Sequence, residues 1–71
     1  MPVDMVETGK QIDRLIVGGG HTSKEVAEQL GVSSECVFKW RHGKSVPNID
    51  NLIALAELLR VSVDELIVKQ D

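Results

Sequence analysis

Apolar positions recur along the chain at helical spacing and divide it into five stretches. The first carries Ile12, Leu15 and Ile16; the second Val26, Ala27 and Leu30; the third Val37 and Trp40, joined by Val32 from the preceding turn. The fourth holds Ile49, Leu52, Ile53, Leu55, Ala56, Leu58 and Leu59, apolar around much of its girth, which predicts the central and most buried helix. The fifth is short, with Val63, Leu66 and Ile67.

Polar punctuation fixes the ends. Thr8 is placed to cap a first helix running to about Val17, which Gly18-Gly19-Gly20 ends; three glycines point to a mobile link. Thr22-Ser23-Lys24-Glu25 reads as a capping box that opens the second helix. Gly31 takes the positive φ that closes that helix, and Ser33 caps a third running to His42, with Gly43 as its stop. Lys44-Ser45-Val46-Pro47 is a loop, Asn48 caps the fourth helix to about Arg60, and Ser62-Val63-Asp64-Glu65 is a second capping box. The expected organisation is all-α: a flexible lead-in at 1–7, one five-helix domain at 8–68 and a tail at 69–71.

Seventy-one residues allow one small domain, and 42% hydrophobic residues are enough to fold it. Phe38 and Trp40 are its aromatics, so the core is aliphatic. Dimerisation would add stability to so small a core, through the fifth helix and tail or the apolar end of the first helix.

Charge refines the picture through its distribution. The net charge is -3, which excludes a generally basic nucleic-acid binder. Yet residues 31–48 carry Lys39, Arg41 and Lys44 against Glu35 alone, whereas the segments on either side are both acidic. Lys39, Arg41 and Lys44 cluster beside the Gly31 turn and are candidates for phosphate contact.

Candidate chemistry elsewhere is thin. Cys36 is the single cysteine, so no intrachain disulfide forms, and a reducing, cytoplasmic setting fits. Cys36, His21 and His42 have no metal-ligand spacing, and no cofactor or metal is implied. Gly18-Gly19-Gly20 lacks the Lys-Ser/Thr of a phosphate loop, and Asp64-Glu65 belongs to a cap. No nucleophile stands at the spacing of a base, so no enzyme and no small-molecule ligand is expected. No apolar run approaches a membrane span.

Two helices joined by a tight glycine turn make a helix-turn-helix, whose second helix enters the major groove. The run Ser23 to Ser33, then Val37, Lys39-Trp40, Gly43-Lys44-Ser45, Pro47 and Asn51 to Leu66, resembles the phage-repressor-like (Cro/CI-type, xenobiotic-response-element) helix-turn-helix regulators. That resemblance implies a five-helix lambda-repressor-like domain, usually a homodimer on double-stranded operator DNA. It implies base-facing roles for Ser34, Glu35, Phe38 and Lys39, within the reading segment 33–42. It implies backbone contacts for Thr22, Ser23, Ser33, His42, Lys44 and Ser45, with Arg41 added by its position beside the turn.

The departures are specific. Ser34 and Glu35 stand where the family often has Arg and Gln, whose forks make bidentate bonds to bases. Phe38 replaces a small polar residue, Ser23 a Gln, and His21 a Leu. Ile16 and Val17 replace Arg or Lys. The lost cations, the net acidity and apolar Ile16, Val17 and Phe38 motivate a rival: the same fold used as a protein-interaction module.

Overall fold

Five helices, each opened by a side-chain cap, carry the chain in the computed structural model, which describes residues 2–70. They are α1 (Met5–Gly18), α2 (Ser23–Leu30), α3 (Ser34–Arg41), α4 (Ile49–Leu59) and α5 (Val63–Leu66). Thr22, Ser33, Asn48 and Ser62 accept from the backbone N–H three residues on, as their spacing requires. Ser62 and Glu65 complete a reciprocal capping box.

The second expected box forms only by half. Thr22 accepts from the Glu25 N–H at 3.1 Å. The Glu25 carboxylate turns instead to His21, whose Nδ1 lies 2.5 Å away. An imidazole one turn back gives that carboxylate a charge-assisted partner, which a backbone N–H does not match.

The first helix starts earlier than Thr8. Asp4 caps it, accepting from the Glu7 N–H at 3.0 Å. Thr8 lies inside the helix and is buried, its hydroxyl donating to the Val68 carbonyl at 3.3 Å and accepting from the Val68 N–H at 2.9 Å. Residues read as lead-in and tail meet each other: Val3 pairs antiparallel with Lys69, and the Gln70 N–H donates to the Pro2 carbonyl at 2.9 Å. Met1 and Asp71, which belonged to those two segments, lie outside the described residues. The three glycines form a bonded helix end. The N–H groups of Gly19, Gly20 and His21 donate to Leu15, Val17 and Ile16.

Ile12 and Ile16 of α1, Val26 and Ala27 of α2, Val37 and Trp40 of α3, Leu52, Leu55 and Ala56 of α4 and Leu66 of α5 close one core. α2 packs on α3, α1 on α3 and α5, and α4 on α5 and α2. Ile16 is fully buried, so it offers nothing to a partner; Val17, one residue on, is the exposed one. α4 is less enclosed than its composition suggests. Its Leu52–Leu55–Ala56 side is buried, but Ile49 and Ile53, four apart, stand 65% and 47% exposed. A helix laid on one side of a small bundle can bury only one stripe, whatever its girth contains.

Candidate nucleic-acid interface

The turn between α2 and α3 is built by Gly31, which sits at φ 71°, ψ 31°. A side chain there would be strained by the left-handed backbone, which glycine adopts without cost. The N–H groups of Gly31 and Val32 both close on the Ala27 carbonyl, and Ala27 is small where α2 meets α3. Ser33 then opens α3, its Oγ accepting from the Cys36 N–H at 3.2 Å.

Val37 and Trp40 turn into the core and are fully buried or nearly so, which makes Trp40 an anchor. The opposite side of α3 is open. Ser34, Glu35, Phe38 and Lys39 are all exposed there, so the four base-facing candidates share one continuous face. An eight-residue helix is about 12 Å long, near the width of the major groove.

The face has internal structure. Lys39 pairs with Glu35 at 3.4 Å. Both side chains are well exposed, so this pair is weak and readily exchanged for another anion. Phe38 stacks on His42, ring centroids 4.0 Å apart and planes 24° from parallel. His42 Nδ1 lies 2.9 Å from the Phe38 carbonyl; a carbonyl only accepts, so Nδ1 carries the proton.

Arg41 departs from expectation. Its Nε donates to Asp13 Oδ1 and its Nη1 to Ser23 Oγ, both at 2.6 Å. The side chain is only 20% exposed. Arg41 is thus a brace tying α3 to α1 and α2, and Ser23 is part of that brace. Neither is a free contact. The physical reason is a carboxylate 28 positions away in sequence, invisible to local spacing.

Thr22 and Ser33 are exposed at the starts of α2 and α3. Each oxygen already accepts a cap N–H, which leaves the hydroxyl proton to donate outward. Among the described residues Lys44 has no ion-pair partner, and it is exposed beyond the end of α3; Ser45, next to it, is half-buried. Among the described residues Lys24, exposed on the first turn of α2, also has no ion pair, and it is a further cation beside the expected backbone contacts. Its place beside Thr22 and Ser23 is the sequence signal for it. The segment 31–48 is therefore less positive than its formal charge, because Asp13, from outside it, answers Arg41; Glu35, already in that sum, is the partner of Lys39. Among the described residues no group of three metal-ligating side chains comes together, and no helix is long and apolar enough to cross a membrane.

A family model described as Helix-turn-helix (HTH_3) matches residues 13–66. The HTH-type transcriptional activator BcrR of Enterococcus faecalis is 34% identical over 62 residues, 87% of this chain. The cryptic phage CTXphi transcriptional repressor RstR of Vibrio cholerae is 33% identical over 45 residues, 63% of this chain. The matched stretches span only 30% and 40% of those two proteins. Among solved structures, a transcriptional regulator from Listeria innocua superposes with a TM-score of 0.79 at 29% identity, covering all of this chain and 64% of that one. The restriction-modification controller protein C.AhdI of Aeromonas hydrophila superposes with a TM-score of 0.81 at 24% identity, over 89% of this chain and 96% of that one, a likeness of fold.

Proposed function

The chain belongs to the helix-turn-helix family, and from that premise we propose that it is a sequence-specific DNA-binding transcriptional regulator that reads an operator with α3. One observation carries the reading. α3 is capped, held by a glycine turn, anchored by buried Val37 and Trp40, and leaves its whole opposite side exposed and continuous. A rigid helix with one displayed face beside a tight turn is the geometry that docks in a major groove. Ser34, Glu35, Phe38 and Lys39 face the bases. Thr22, Ser33, His42, Lys44 and Ser45, with Lys24, lie along the backbone. No catalytic step and no cofactor enter this reading, and its setting is the cytoplasm.

So few free cations give a monomer weak affinity, so the working form is a homodimer on a two-fold operator. We place the second copy on α4, in place of the fifth helix and tail or the end of the first helix, where Leu66 and Ile16 are buried. Ile49 and Ile53 form an exposed apolar pair, with Asp50 at the start of the helix and Arg60 just past its end. Antiparallel pairing of two α4 helices covers the isoleucines and brings opposite charges together. Sedimentation checks this: Ile53→Glu yields monomer at concentrations where the wild type dimerises, and an unchanged dimer contradicts this surface.

Selection from random-sequence duplex tests the function. A recurrent motif with two-fold symmetry is the expected outcome. If no duplex is enriched even at low ionic strength, the fold is serving protein interaction instead.

A further inference from the structure

Phe38 occupies the middle of the displayed face without a polar role. It is 50% exposed, and its ring is fixed by the His42 stack, which is itself tied to the Phe38 carbonyl. The side chains around it make poor readers. Ser34 and Glu35 have no donor fork, Lys39 is a single point charge, and the one guanidinium on α3 is turned inward to Asp13 and Ser23. Recognition of guanine or adenine by the planar fork of Arg, Asn or Gln is therefore not available from α3, which leaves guanine to the point charge of Lys39.

The major-groove edges of the bases present one apolar group, the C5-methyl of a pyrimidine. We propose that Phe38, held in place by His42, is the specificity-determining residue of this helix and recognises a pyrimidine C5-methyl group in the operator, that of thymine. This rests on the DNA-binding reading above. Phe38 supplies the contact. His42 is a positioning residue: it covers one face of the ring and holds the other toward the groove, so little side-chain freedom is lost on binding. 5-Methylcytosine presents the same methyl, and the experiment separates the two sources.

The test uses the selected operator, with each thymine replaced singly by deoxyuridine and each cytosine by 5-methylcytosine. Affinity is read by fluorescence anisotropy. In the wild type, one deoxyuridine position per half-site weakens binding roughly threefold to tenfold, the scale of one buried methyl group. Phe38→Ala, at an exposed position that leaves the fold intact by thermal melting, binds thymine and deoxyuridine operators equally and keeps its salt dependence. His42→Ala loses part of the discrimination, and His42→Phe, which restores a stack, regains it. A gain at a methylated cytosine with no sensitive thymine supports methyl recognition with methylated DNA as its source. Equal binding of every substituted operator by the wild type, or discrimination retained in Phe38→Ala, overturns the methyl reading while DNA binding stands. Failure to select any duplex overturns both.

Discussion

Gly9 and Gly43 meet backbone to backbone. A Cβ on Gly9 would lie 2.6 Å from the Gly43 nitrogen and 2.9 Å from the Trp40 carbonyl oxygen. α1 thus presses on the exit of α3, and Gly43, at φ 70°, lets the chain leave beneath it. The close approach leaves no room for a side chain between α1 and the end of α3.

Gly9→Ala should therefore destabilise the fold by about 1–3 kcal/mol, the cost of forcing extra volume into packed backbone. Gly18, also in α1, has nothing within 4 Å of its Cβ position. Gly18→Ala should instead stabilise by about 0.5–1 kcal/mol, as alanine does in an open helix. Urea unfolding of the two variants gives opposite signs if the close approach is real.

Asp13 sets how much charge α3 offers. Asp13→Ala breaks the brace to Arg41 and, since Asp13 is 44% exposed, costs at most about 1 kcal/mol of stability. It also leaves the guanidinium charge unanswered, held by Ser23 alone, beside the proposed DNA backbone path. Duplex affinity should rise, with the slope of log affinity against log salt steeper by about one per subunit. A variant that is less stable and binds no better shows that Arg41 does not reach phosphate when released.

Thr8→Val keeps the shape and removes both bonds to Val68. The Val68 N–H then loses its partner in a part-buried place. A loss of about 1–3 kcal/mol is expected, read by thermal melting. An unchanged melt would mean that the C-terminal segment is held by its other bonds, such as Gln11 to the Glu65 carbonyl at 2.9 Å.

What the sequence made legible was local. Gly31, Ser33, Asn48 and Ser62 act within three or four residues of themselves, and each does what its type and spacing require. Val37 and Trp40 face inward because their spacing allows no other shared side. What stayed hidden depends on partners distant in sequence. Asp4 outcompetes Thr8 as a cap because Thr8 is claimed by Val68, 60 positions on. Arg41 turns inward because α1 presents Asp13. Gly9 is a poor helix former on its own, and the backbone of Gly43 packed against it is why a glycine stands there. In α1 the helical spacing of Ile12, Leu15 and Ile16 already points Ile16 inward; the family position that sets it beside Val17 as an exposed residue is the reading the packing overturns. Of the candidate interface, the face was legible, but the pairing of its charges was not.

As proposed above, α3 and its flanking loop form a DNA-reading surface. The most direct measurement is the salt dependence of binding to a selected duplex, for the wild type and for Lys39→Ala with Lys44→Ala. Expected are salt-dependent binding by the wild type, weaker binding of all duplexes by the double variant, and a log–log slope shallower by about one per subunit, from the backbone contact of Lys44. A wild type that shows no salt-dependent duplex binding at low ionic strength, or a double variant with an unchanged slope, contradicts it.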